Sequence, residues 1–269
     1  MPNTGLLPHY TTLHAAYLHA EGERGTDYLL EQLPLQGNEH VLEFGFGTGA
    51  TLVKLKSRLP NLALSGLEAD PEMRAAAAAR LRFCRLAGQI DLLLQPDRDR
   101  IPKGSLDLVY AESVLAILDE PSFADALHFI AATLKTGGVL AVNESIWRSA
   151  VTLSEIDAIN AHCREKFGII QCSAAMTGLK ATVKLFENSG FSLLSATHIP
   201  PGWRPDRNHK PFREYLSRLF TVQGKSRLLF QPRLRKQHAQ FSADMGALFT
   251  PGREYLRGAV LLLRKTAAV

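Results

Sequence analysis

Cysteine is scarce in this 269-residue chain: Cys84, Cys163 and Cys172 are odd in number and show no C-x-x-C spacing. That argues against a disulfide framework and a zinc knuckle, and the expectation is three reduced core residues. Long apolar runs are missing as well. None could span a bilayer, and Met1 to His19 has neither the basic start nor the unbroken apolar core of a signal peptide. A soluble, cytoplasmic protein with no membrane partner is expected. No nucleophile-base-acid constellation and no metal-ligand cluster can be read from the spacing of its residues.

Hydrophobic residues make up 46% of the chain, enough to bury a core, and the length suits one α/β domain with an elaboration. Charge is unevenly placed. Between Pro201 and Glu254 eleven Lys and Arg face four Asp and Glu, a net +7, so the rest of the chain carries −2 against the total of +5. Any attraction to acidic partners is confined to this late segment.

The most informative stretch is Val41-Leu42-Glu43-Phe44-Gly45-Phe46-Gly47-Thr48-Gly49-Ala50, followed by Thr51 to Lys56. A short apolar run passes into alternating glycines and then a helical pattern: strand, turn, helix. Such a turn lets a ligand touch the main chain beside the free N–H groups of a helix start. Gly45-x-Gly47-x-x-Ala50 also satisfies the dinucleotide pattern. Glu43 separates the two ligand classes, because a carboxylate at the mouth of the turn repels a pyrophosphate and suits a cationic amino group.

On these residues the chain closely resembles class I S-adenosylmethionine-dependent methyltransferases, whose signature is E/D-x-G-x-G-x-G. Further matches follow in order. Leu62 to Glu68 reads as a second strand ending in an acid, and Ile90 to Gln95 as a third. Asp97 stands five residues before Pro102, Ser105 to Ala111 reads as a fourth strand, and Leu134-Lys135-Thr136-Gly137-Gly138 resembles the family's L-K-P-G-G turn. His19-Ala20-Glu21-Gly22-x-x-x-Thr26 resembles the H-P-G-G-x-x-x-T lead-in of some small-molecule members. The resemblance spans roughly Gly22 to Phe191 plus the final strand.

It implies S-adenosylmethionine as cofactor and contacts from Glu43, Gly45, Phe46, Gly47, Gly49, Glu68, Ala69, Asp97, Arg98 and Glu112. Glu68 is the expected ribose anchor. Asp70 competes with it, but Asp70-Pro71-Glu72 reads better as a helix N-cap. Asp97 is expected at the adenine amine, with Asp99 as the fallback. His19 and Glu112 are the candidate bases, and Glu112 could equally hold the methionine moiety.

The implied fold is a doubly wound, seven-stranded, mostly parallel Rossmann-like sheet, completed by an antiparallel edge pair at Gly190 to Leu194 and Gly258 to Leu263. Helices are expected over residues 9–35, from Pro121, over 152–167 and over 178–189, with a fifth strand at Val139 to Val142. The whole of 1–269 reads as a single methyltransferase domain with an N-terminal helical cap (1–37) and a basic insert or lid (200–254) containing at least one helix near Phe212 to Phe220.

Methyl transfer from a sulfonium is an in-line displacement that needs alignment and desolvation more than a catalytic constellation. The expected activity is methylation of a small molecule, with an anionic acceptor among the candidates. Three other readings stay open: an RNA methyltransferase using the basic insert, with Trp203, Phe212, Tyr215, Phe220 and Phe230 among its cations; a cofactor-binding module without transfer activity; and, disfavoured by Glu43, an NAD-dependent oxidoreductase.

Overall fold

The computed structural model describes residues 5–18, 21–205 and 210–266. Two helices, α1 (Leu6–Thr12) and α2 (Gly22–Gln32), precede β1 (His40–Phe44). The chain then alternates through α3 (Ala50–Arg58), β2 (Ala63–Glu68), α4 (Pro71–Phe83), β3 (Asp91–Leu94), β4 (Leu106–Glu112), α5 (Glu120–Thr133) and β5 (Leu134–Trp147). It closes with α6 (Leu153–Phe167), α7 (Leu179–Glu187), β6 (Phe191–His198), α8 (Phe212–Phe230), α9 (Pro232–Ala247) and β7 (Leu256–Lys265).

The seven strands form one sheet in the order β3-β2-β1-β4-β5-β7-β6. β7 runs antiparallel to β5 and β6, and the other pairings are parallel. The order reverses between β1 and β4, which leaves a crevice at the carboxyl ends of those strands.

Alternation along the strands divides the core in two. Leu42, Phe44, Val109, Ala111, Leu140 and Val142 face the side covered by α5, α6 and α7. Val41, Leu108, Tyr110, Val139 and Ala141 face the side covered by α2, α3 and α4. Glu43 and Tyr110 are cross-strand partners on this second side, as are Glu112 and Asn143. Glu144 therefore points to the opposite face.

β5 is longer than the sequence suggests. It starts at Leu134, passes an irregularity around Lys135 to Gly138, and runs five residues past Val142 because β7 pairs with it from Arg264 to Leu256. The apolar pattern stops at Val142, but Asn143, Glu144 and Ser145 are buried all the same.

The 200–254 stretch contains two helices among its described residues, α8 and α9. α8 packs on α3 and α4, and the reason is electrostatic. Lys54 and Arg58 of α3 are buried cations. Lys54 meets Glu23 and Asp27 of α2 at 2.9 Å each, while Arg58 meets Asp27 at 2.6 Å and Glu214 of α8 at 2.8 Å. Buried charges persist only when paired, so α8 is part of what lets α3 bury its cationic side.

Candidate functional site

The glycine turn joins β1 to α3 with Gly45, Gly47 and Gly49 all at positive φ (76°, 51° and 75°). Gly49 is the left-handed N-cap of α3. At Gly45 the need is also steric, since a Cβ there would overlap the Val114 side chain. Gly47 is different. A Cβ on it would find only Met73 Sδ, at 3.7 Å, so its bare backbone faces open space. Phe46 is buried with its ring against Gly66, where an added Cβ would lie 2.5 Å from Phe46 Cδ1.

Carboxylates ring this turn. Glu68, at the end of β2, accepts the Gly47 N–H at 2.8 Å through Oε2, and the Ala69 and Asp70 N–H groups at 2.9 and 3.1 Å through Oε1. Burial raises its pKa against those bonds. Asp70 instead caps α4, accepting from the Glu72 and Met73 N–H groups. Glu43 is buried and accepts a 2.8 Å bond from the Tyr110 hydroxyl. Burial, then the negative charge of Glu112, pushes its pKa well up. Glu112 accepts from Thr51 at 2.9 Å, Thr26 at 2.8 Å and Asn143 Nδ2 at 2.9 Å.

Glu144, 1% exposed, was missed as a site residue in the sequence. Its Oε1 accepts the Val114 and Leu115 N–H groups at 3.1 and 2.9 Å, whereas its Oε2 is buried with no hydrogen-bond partner. Burial raises its pKa to about 8 in spite of the Leu115, Val114 and Ala116 N–H groups that face the carboxyl. The available signal was its place at the carboxyl end of β5, next to a residue that serves Glu112.

These groups share one cavity of about 1100 Å³. Glu43, Gly45, Phe46, Gly47, Glu68, Ala69, Glu112 and Glu144 line its floor, and α1, residues 13–18, α8, α9 and the 249–256 segment supply the walls above. Gly49 acts through its cap and does not line the cavity. Asp97 and Arg98 are not brought to the lining either. They lie in a 3₁₀ turn after β3, where Asp97 is exposed and Arg98 ion-pairs with Asp125 and stands over the Phe129 ring. His19 lies outside the described residues. Among the described residues, no group of three or more His, Cys, Asp or Glu side chains is placed to hold a metal ion.

Arg80 of α4, fully buried, ties the turn to the covering segments. Its guanidinium donates to Thr48 O at 2.8 Å, Ser217 O and Oγ at 2.9 Å, Thr221 Oγ1 at 3.0 Å and His14 O at 2.7 Å. Thr48 Oγ1 in turn donates to Ala15 O at 2.5 Å.

Residues 42–140 match the family model described as a methyltransferase domain. A trans-aconitate 2-methyltransferase of Escherichia fergusonii is 33% identical over 128 residues, which cover 47% of this chain and 48% of that protein. The match thus spans about half the length of that curated relative. A putative sarcosine dimethylglycine methyltransferase from Galdieria sulphuraria superposes with a TM-score of 0.64 at 18% identity, covering 92% of this chain and 86% of the other. A methyltransferase from Thiobacillus denitrificans, solved in complex with S-adenosyl-L-homocysteine, superposes with a TM-score of 0.62 at 18% identity, covering 95% and 97%.

The fold is that of the Rossmann-like methyltransferases. Within it, residues 42–140 are similar to a methyltransferase domain.

Proposed function

We propose that this protein binds S-adenosylmethionine and transfers its methyl group to a small-molecule acceptor held in the same cavity. The observation that carries this reading is the continuity of that cavity, which runs from the glycine turn and its carboxylates to walls supplied by α1, α8 and α9. Its size, about 1100 Å³, suits a nucleoside-sized cofactor beside a small acceptor.

The residues present fit the cofactor. The charge of half-buried Glu112 works against ionisation of buried Glu43, and a cation entering beside them would relieve that repulsion. Gly47 offers bare backbone to the cavity, and Glu68 retains lone pairs for ribose hydroxyls beyond the three N–H groups it accepts. Bound S-adenosylmethionine supplies a sulfonium-activated methyl group open to in-line displacement. What the chain adds is alignment and exclusion of water, with α1, residues 13–18, α8 and α9 acting as a lid. Glu112, held by three donors from α2, α3 and β5, positions the cofactor's amino end or takes a proton from the acceptor.

The first acceptors to try are small carboxylic acids, because the matching curated relatives are named for trans-aconitate. Calorimetry with S-adenosylmethionine and S-adenosylhomocysteine is expected to give micromolar affinity, and absence of both would sink the cofactor assignment. A tritiated methyl-transfer assay with trans-aconitate, related acids and bulk RNA then decides the acceptor class. Arg233, Arg235 and Lys236 lie exposed on α9 and are the cations an RNA enzyme would use. Steep salt-dependent RNA affinity, lost when these three become Gln, would replace the small-molecule reading.

A further inference from the structure

Glu144 stands apart from the other carboxylates of the cavity. Glu43, Tyr110, Glu112 and Asn143 share one face of the sheet, and Glu144, one residue past Asn143, lies on the other. The cavity wall on that side includes Val114, Ala116, Cys163, Phe167 and Ile169. Around Glu144 this wall is apolar; Gln171 and the separately ion-paired Arg253 and Glu254 are further polar and charged side chains that the segment after α6 and the 249–256 segment bring to the lining.

The two oxygens of this carboxyl are not equivalent. Oε1 is occupied by the Val114 and Leu115 N–H groups, which can only donate. Oε2 is buried, belongs to a cavity-lining residue and has no partner. An unpaired polar atom in such a place costs free energy unless a ligand completes it. In a neutral carboxyl the proton goes to Oε2, because Oε1 already faces two N–H donors, and the group then presents a single O–H.

We propose that Glu144 recognises the methyl acceptor, donating a hydrogen bond from Oε2 to a carboxylate oxygen of a small acid seated on the α6 side of the cavity. This rests on the methyl-transfer reading above. The neutral form is favoured by burial and by the nearby charge of Glu112, and the titratable Cys172 thiol lies close enough to feel the group. An ionised Glu144 would repel an acid, so binding should weaken once the proton is lost.

The test uses the full chain loaded with S-adenosylhomocysteine, with trans-aconitate as the probe and calorimetry from about pH 6 to about pH 9. The parent protein is expected to bind trans-aconitate with affinity that falls on the alkaline side. Glu144→Gln, whose amide can keep its oxygen toward the two N–H groups and place NH₂ where Oε2 stood, should retain binding and lose the alkaline fall. Glu144→Ala should bind at least about tenfold more weakly throughout. Affinity that rises with pH, or a Gln variant as weak as the Ala variant, overturns the proposal. So does failure of trans-aconitate and a set of mono- and dicarboxylates to bind the loaded protein. S-adenosylhomocysteine binding in the same titrations reports separately on the cofactor assignment and on whether each variant is folded.

Discussion

Glu68 and Asp70 are two residues apart and do different work, which makes them a paired test of the site. Glu68→Ala removes the acceptor assigned to the ribose and leaves the Gly47 N–H without its partner. Cofactor affinity should fall by ~1.5–3 kcal/mol, the usual loss of a hydrogen bond involving a charged group. Asp70→Ala should instead cost stability of about 1 kcal/mol through the lost helix cap, with little change in affinity. Calorimetry and denaturant unfolding on both variants check this, and reversed effects would mean Asp70 is the ribose anchor. At this scale the sequence was readable for placement at the glycine turn and at strand ends: Gly45, Gly47, Glu43, Glu68 and Glu112 all line one cavity. Asp97 and Arg98, expected at the same site, lie outside that lining in a 3₁₀ turn, where Arg98 pairs with Asp125, 27 residues on along the chain. For Glu144 the place at the rim, just past the fifth strand, was legible, but its burial was not, because that depends on the pairing of β5 with β7 beyond Val142.

α8 is held by a close approach as well as by ion pairs. Its Gly224 lies against the backbone of Leu13, and an added Cβ would overlap the Leu13 carbonyl oxygen. Gly→Ala inside a helix should by itself stabilise by about 1 kcal/mol. Gly224→Ala is nevertheless expected to destabilise, to loosen residues 13–18 over the cavity and to weaken acceptor binding. Amide exchange in residues 10–18 should rise in that variant, and a net gain in stability without faster exchange would show that the contact does not hold the covering segments in place. The strand-helix alternation up to β4 was plain in the sequence because each element carries its own period. α9 was not, since its one buried residue is Phe241 and a helix so exposed leaves no apolar stripe to read.

For the molecule as a whole, Glu144 links pH to stability. Its folded pKa, about 8, lies above the ordinary 4.5, so its contribution is fully present below pH 4.5 and is lost as pH rises through about 8. Glu144→Gln cannot lose that proton. Its stability relative to the parent should therefore climb between those two values and level off above them, as read by urea unfolding at each pH. A difference that does not vary with pH would show that Glu144 is already ionised at neutrality. Arg80 has a different consequence for the whole. One side chain holds His14 of the N-terminal segment, Thr48 of the glycine turn, and Ser217 and Thr221 of α8. Segments some two hundred residues apart in sequence are thus pinned at a single point, and neither can lift without stranding the same buried cation. On the proposed reading of these segments as a lid, admission and release would be one event, a double door on a shared latch, and slower amide exchange at residues 13–18 than ligand turnover would rule that out.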